Sequence, residues 1–332
     1  MNTNRVMVFD GPHKLHIEER PIPRPGPDEV VIRIAFTGIC GSDLHGYTGE
    51  TGRRIPGMVM GHEASGWISE VGANVDKSNI GDQVTFNPGI SCSGSCGHKA
   101  TNRCDQFRVI GVDPKFQGAF ADYISVPFNR VVSLNGISFE FGACIEPFAV
   151  AVQAVRQSGM TSGESVLIAG GGMIGQCIAQ VARAEGAASV TISETSEFRR
   201  AFANSEGFNS VSPGDLEGFP RFDRAFDAVG LSATASATIS SVKKGGTVCF
   251  VGLGSPQISI PLFEVVTAER NIQGTFAYTD DSFEYARDLL SSNRLSIQSL
   301  LGPSTDFDGV SKTFNDLTTG VRNDVKVLMR TE

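Results

Sequence analysis

From Ser165 to Ser193 the chain runs through an apolar stretch, a glycine turn, an amphipathic stretch and a second apolar stretch, which leaves few folds open to it. Ser165–Ala169 and Ser189–Ser193 read as strands, and Met173–Glu185 between them reads as a helix. The alternation goes on with a helix at Ser196–Glu206, a strand at Ala225–Val229, a helix at Ser232–Val242 and a strand at Thr247–Val251. Strands that are apolar along their whole length and separated by helices are covered on both faces, so they predict a parallel, doubly wound sheet. A helix at Phe148–Gln157, with Pro147 suited to its first turn, leads in. Pro213, Gly214, Gly218 and Pro220 break helical continuity between Glu206 and Ala225, so one crossover helix is expected to be short or missing.

The residues before 146 have a different texture. Val6–Phe9, Leu15–Glu19, Val30–Phe36, Ala64–Val71, Gln83–Phe86 and Ala119–Val126 are short β-branched or aromatic runs divided by Gly, Pro and Asn or Asp, and read as strands. Pro21–Pro27 is an extended connector. A helix at Asp281–Ser291 and a short tail close the chain. The expected organisation is an α/β domain at 147–276 inserted into a mainly β domain formed by 1–146 and 277–332.

With 40% hydrophobic and 19% charged residues among 332, the chain can bury a full core, and whole-chain disorder is excluded. A net charge of −8 disfavours a general nucleic-acid binder. No apolar run is long enough to span a bilayer, so no membrane partner is expected. Met1–Asp10 lacks the apolar core of a secretory signal, which makes the cytoplasm the expected location.

The turn Gly170-Gly171-Gly172-Met173-Ile174-Gly175 holds the G-x-G-x-x-G spacing between a strand and a helix. Glycines there let the backbone turn sharply and approach a pyrophosphate, which the free N–H groups and dipole of the helix N-terminus attract. Glu194, at the end of the following strand, can accept from both hydroxyls of a ribose and would repel a 2′-phosphate, favouring NAD over NADP. Arg199 and Arg200 pull the other way. A plain strand–turn–helix with an exposed glutamate is the alternative.

Cys40, His62 and Glu63 offer thiolate, imidazole and carboxylate, a donor set that suits zinc. A buried histidine in a tight turn is the plainer reading of His62. Ser42 is close enough in sequence to Cys40 for its hydroxyl to reach an alcohol on such a metal, and His45 can carry the proton outward. Taken singly, Ser42 could be a turn cap and His45 a surface histidine. Cys92, Cys96 and Cys104 cluster in sequence, and in a reducing compartment read first as a metal site. Cys177 and Cys249 sit in apolar segments as small core residues.

Gly61-His62-Glu63-Ala64-Ser65-Gly66 with Val71-Gly72-Ala73-Asn74-Val75, the Cys40-Gly41-Ser42-Asp43-Leu44-His45 segment, Ile145-Glu146-Pro147 and the glycine turn occur in one order. That order resembles the zinc-dependent medium-chain alcohol dehydrogenases over nearly the whole chain. Glu146-Pro147 is similar to their polyol and sugar-alcohol (sorbitol-dehydrogenase-like) branch, in which a glutamate replaces a second cysteine at the catalytic metal. The resemblance implies a GroES-like, mainly β catalytic domain and a Rossmann cofactor domain. It implies a catalytic zinc held by Cys40 and His62 with Glu63 and Glu146 as carboxylate ligands, one of them acting through water or by exchange. It implies that Ser42 takes the alcohol proton and passes it toward His45. In the cofactor domain it implies that Gly170, Gly172, Met173, Ile174 and Gly175 cradle the pyrophosphate. Glu194 and Arg199 would meet the adenosine ribose, and Val251, Gly252 and Leu253 the nicotinamide.

The chain departs from that family at its second, structural zinc, which uses four cysteines. Cys92, Cys96 and Cys104 supply three, with His98 as the candidate fourth ligand; a lobe that has lost its metal is the alternative. The expected reaction is reversible hydride transfer between a secondary alcohol, polyol or sugar derivative and NAD. A zinc-independent quinone or enone reductase and a noncatalytic cofactor-binding protein are the competing readings. A homodimer or homotetramer is expected.

Overall fold

A computed structural model describes residues 3–92, 96–97 and 100–331. It divides into two compact units: residues up to Glu146 together with those from Arg287 onward, and Pro147–Ala286. The return falls later than residue 277 because Thr279 and Ser282 are bound into the second unit. The Gln153 Oε1 accepts from the Ser282 hydroxyl at 2.8 Å and from the Thr279 amide at 3.3 Å.

The first unit is built on Glu29–Gly38, whose run of Val, Ile, Ala and Phe is buried on both faces. A six-stranded antiparallel sheet surrounds it, in the order Val131–Ser133, Gln83–Phe86, Glu63–Val71, Glu29–Gly38, Leu328–Arg330, with Tyr123–Pro127 also paired to Glu29–Gly38. Register shifts between Val31 and Ile32 and between Ile34 and Phe36 bend the central strand. Lys14–Pro21, Thr3–Gly11 and Met58–Val59 form a second, three-stranded sheet. Phe9, Tyr47, Met58, Phe120 and Phe314 share one core; Ile32, Ile34, Ile68, Phe86 and Val126 share another.

Two expectations for this unit are corrected. Ala119–Val126 is strand only from Tyr123. The Ala119 and Phe120 amides instead donate to Gly61 O and Met60 O, tying that stretch to the turn before His62. The short tail is a capped helix and a strand. Asp306 accepts the Gly309 amide at 2.8 Å and starts Phe307–Thr318, which buries Phe307, Val310 and Phe314, and Leu328–Arg330 then joins the main sheet.

The second unit is a six-stranded parallel sheet in the order Asn209–Val211, Ser189–Ser193, Ser165–Ala169, Phe222–Asp227, Val242–Phe250, Asn271–Gly274. The order reverses beside Ser165–Ala169, which is the doubly wound arrangement with its switch point at the glycine turn. Helices Met173–Ala184, Glu197–Ser205, Ser232–Ser241 and the short Leu262–Thr267 lie in the crossovers. Between Asn209–Val211 and Phe222–Asp227 the crossover is a 3-10 turn, Pro213–Gly218, as its prolines and glycines dictate. Cys177 and Cys249 are core residues with no exposure, and burial pushes the Cys249 thiol up to about 12.

Candidate metal and cofactor sites

Strand register assembles the candidate metal ligands. Glu29–Gly38 and Glu63–Val71 pair antiparallel with Gly38 opposite Glu63, so the strand that ends just before Cys40 lies beside the one that begins just after His62. The Cys40 sulfur, a His62 ring nitrogen and a Glu63 carboxylate oxygen lie within 4.8 Å of one another. Thiolate, imidazole and carboxylate at that spacing form a borderline-soft donor set that fits zinc. Glu146, half-buried at the start of the Ile145–Gln157 helix, stands outside this group but close enough to act electrostatically on His62.

Burial alone would push the His62 imidazolium down. The charges of Asp43 and Cys40, a hydrogen bond to Cys40 and the charge of Glu146 outweigh it and raise His62 to about 10. The same anionic neighbours would favour a divalent cation among these donors.

Cys40 is the N-cap of the Gly41–Tyr47 helix. Its sulfur accepts the Ser42 amide at 3.5 Å, and Asp43 Oδ2 accepts the Cys40 amide at 3.1 Å. The short helix is two-faced: Asp43, Gly46 and Tyr47 are buried, while Ser42 and His45 are exposed three residues apart, on one side. A hydroxyl and an imidazole thus leave the same face of the helix that Cys40 caps.

Sequence reasoning missed Lys326. It is buried and paired with Glu63 Oε2, and it donates to Ile39 O at 3.1 Å. Burial would lower its pKa; Glu63, then Cys40, raise it above the ordinary lysine value. Gly38 makes the room, because a Cβ there would stand 2.1 Å from Glu63 Oε2 and 2.8 Å from Lys326 Cε. Asp43 and Arg54 were missed as well. The C-x-x-D spacing, an N-cap followed by its third helical residue, was the available signal for Asp43.

In the other unit the glycine turn enters Met173–Ala184 with Gly172 at the N-cap and no side chain capping it, which leaves the amides of the first turn, Met173 and Ile174 among them, to an anion. Gly175 is obligatory for the approach of helix to turn: a Cβ there would lie 1.9 Å from Gly170 O. Glu194 is nearly buried at the end of Ser189–Ser193. Its Oε2 accepts the Gly171 amide at 2.7 Å and its Oε1 the Ser196 amide at 2.8 Å. Burial works to raise this carboxyl; the Ser196 and Gly171 amides, the Thr195 hydroxyl and Arg199 prevail and hold it below the usual range. The Arg199 guanidinium lies 3.9 Å from Glu194 Oε2. The Val251 and Gly252 amides both donate to Asp227 O, while Leu253 is exposed.

Cys92, Cys96 and Cys104 bring three sulfurs within 4.8 Å of one another. The Cys96 amide donates to Cys92 Sγ at 3.2 Å, and the Cys92 and Gln106 amides donate to Cys104 Sγ at 3.3 Å. His98, the candidate fourth ligand, lies outside the described residues. Among the described residues no helix is long and apolar enough to cross a membrane.

Residues 26–136 match the alcohol dehydrogenase GroES-like domain and residues 173–292 the zinc-binding dehydrogenase domain. A probable D-xylulose reductase A of Emericella nidulans is 31% identical over 339 residues, covering 96% of this chain and 94% of its own length. The crystal structure of 2R,3R-butanediol dehydrogenase from Bacillus subtilis superposes with a TM-score of 0.90 at 27% identity, over 99% of this chain and 100% of that one. That of galactitol-1-phosphate dehydrogenase from Escherichia coli gives 0.90 at 26% identity, over 98% and 99%. The two units, the motif order and these likenesses agree: the chain belongs to the zinc-dependent medium-chain alcohol dehydrogenase family, in its polyol branch.

Proposed function

We propose that this NAD(P)-linked oxidoreductase moves a hydride between the carbinol carbon of a secondary polyol or sugar derivative and NAD. The observation that carries the reading is the convergence of Cys40, His62 and Glu63 within 4.8 Å where Cys40 caps the helix that exposes Ser42 and His45. Zinc held there would supply Lewis acidity that makes a substrate hydroxyl easier to deprotonate, and a nicotinamide cofactor held at the glycine turn would supply the hydride acceptor. Cys40 and His62 hold the metal, with Glu63 and Glu146 as its carboxylates. Ser42 accepts the alcohol proton, and His45, one turn further on the same exposed face, delivers it to solvent. The zinc-independent reductase and the noncatalytic protein are not favoured, since neither requires this donor set.

The relatives support the substrate class: xylulose is the keto form of a polyol, and butanediol and a galactitol phosphate are polyols or their esters. Glu194 favours NAD, because a carboxylate anchored by two amides would stand against a 2′-phosphate. The cluster of Cys92, Cys96 and Cys104, with His98 as the fourth ligand, is the proposed second zinc site. Seven cysteines with no disulfide among them fit a reducing compartment, the cytoplasm. A homo-oligomer is supported by exposed Leu262, Phe263 and Val266 next to Asn271–Gly274, a strand paired on one side only among the described residues.

The test follows NADH absorbance with zinc-loaded protein over secondary alcohols, polyols, sugar acids and inositols, with NAD and NADP in parallel. Turnover with NAD on at least one polyol is expected. Cys40→Ser and His62→Ala should each abolish it while NADH binding persists; turnover retained by either would overturn the assignment.

A further inference from the structure

Arg54 lies between the Gly41–Tyr47 helix and the Met58–Val59 strand, and its side chain is 2% exposed. Nη1 donates to Val112 O at 3.0 Å. Nη2 sits 3.5 Å from Ser42 O and 3.5 Å from Asp43 Oδ1. Nε is buried without a hydrogen-bond partner. Removing a guanidinium from water is costly unless it is paired. The fold also makes room for it: a Cβ on Gly46 would stand 2.5 Å from Arg54 Cγ. Glycine is a poor helix former, so that space is held at some cost in stability.

The carboxylate this cation faces is fully buried and divided between the two metal ligands. Asp43 Oδ2 accepts the Cys40 amide. Asp43 Oδ1 lies between Arg54 Nη2 and His62 Nδ1, the latter at 3.7 Å. His62 Nδ1 is buried and has no hydrogen-bond partner of its own. Asp43 Oδ1, facing that nitrogen at 3.7 Å, is the acceptor that can fix the imidazole's orientation.

We propose that Arg54 is a positioning residue for His62, acting through Asp43. It pins the oxygen that orients the imidazole and, through Ser42 O, the peptide following the Cys40 cap. The inference rests on the reading of Cys40 and His62 as zinc ligands.

The experiment measures zinc retention against a competing chelator, and the visible spectrum of the cobalt-substituted protein, in the full chain with Cys40→Ser as blank. If the unsubstituted protein binds no more metal than Cys40→Ser, the zinc reading fails, whatever Arg54 does. Given that difference, Arg54→Met keeps length and removes charge; it should weaken zinc retention by about 10- to 100-fold, the usual cost of losing a partner behind a ligand, and move the cobalt bands. Arg54→Lys, which returns the charge without the planar fork, should fall between the two. In an Asp43→Asn background Arg54→Met should add nothing, since the effect passes through Asp43. Unchanged retention and cobalt bands in Arg54→Met, or fully additive losses with Asp43→Asn, would overturn the proposal. Should Arg54→Met fail to fold, Arg54→Lys carries the test, and wild-type cobalt bands there overturn it.

Discussion

At Glu63 two demands meet on one carboxylate. It stands within 4.8 Å of the donor atoms of Cys40 and His62, and its Oε2 is paired with the ammonium of Lys326, both side chains being almost completely buried. Breaking a buried pair by removing one partner leaves a charge in low dielectric, at a cost of about 3–5 kcal/mol. Lys326→Met should therefore lose about that much stability in urea unfolding of the metal-free protein. Adding Glu63→Gln should recover most of it, and a loss below about 1 kcal/mol in the single variant would show the pair is not isolated from water. Cys40, His62 and Glu63 were legible because a thiol, an imidazole and a carboxylate in glycine-flanked turns are an unusual combination. Lys326 was not. A lysine between two valines reads as the polar member of an alternating strand, and its burial is decided by the strand Leu328–Arg330 pairing beside Gly38, which local sequence does not carry.

Elements of the cofactor unit were legible unevenly: the strands expected at Ala225–Val229 and Thr247–Val251 run over Phe222–Asp227 and Val242–Phe250, and Asn209–Val211, Leu262–Thr267 and Asn271–Gly274 were not foreseen. Ser165–Ala169 and Ser189–Ser193 have the bounds their apolar runs predict, because glycines or polar turns end each one. Phe307–Thr318 was overlooked although Asp306 caps it and Phe307, Val310 and Phe314 mark its buried face; the signal was present but brief. Ala119–Asp122 misled for the opposite reason, since its apolar residues are buried without a ladder. Across the parallel sheet, Asp223 binds elements together. Its carboxylate accepts the Ser165 amide and hydroxyl and pairs with Lys243 at 2.6 Å, spanning three adjacent strands. The Lys243 ammonium, with the Ser165 donors, holds the Asp223 carboxyl down at about 2, below its ordinary 3.8. The folded group thus binds a proton less readily than the unfolded one, so its stabilisation is present above 3.8 and is lost as pH falls toward about 2. Asp223→Asn should cost about 1 kcal/mol or less near pH 7, because the pair is partly exposed and screened, and the gap to wild type should shrink in acid. Urea midpoints across that range check it; a gap that widens on acidification would contradict the assignment.

At the scale of the molecule, the change in texture near residue 146 carries the expected division into an interrupted β domain and a continuous α/β domain. No such change marks the point of return, where Asp280–Ser291 runs through with its first turn held by Gln153. Assembly is a property of surfaces, which periodicity does not display. Phe263 is 80% exposed, with Leu262 and Val266 beside it in sequence at 65% each, more apolar surface than a short helix leaves to water without cause. Phe263→Asp should lower the mass measured by light scattering to that of a monomer. An unchanged oligomer would move the interface to another face.

The pairing of Lys326 with Glu63 also sets an order of events during synthesis. The two residues are 263 positions apart, and the whole α/β unit is made between them. At ordinary elongation rates roughly 10–50 s pass after Glu63 is made before its counter-charge exists. The cofactor unit, a single stretch of chain, can be complete on the ribosome while the metal site still lacks a wall. For that interval the nascent β unit carries the Glu63 carboxylate without the cation that is paired with it in the finished fold.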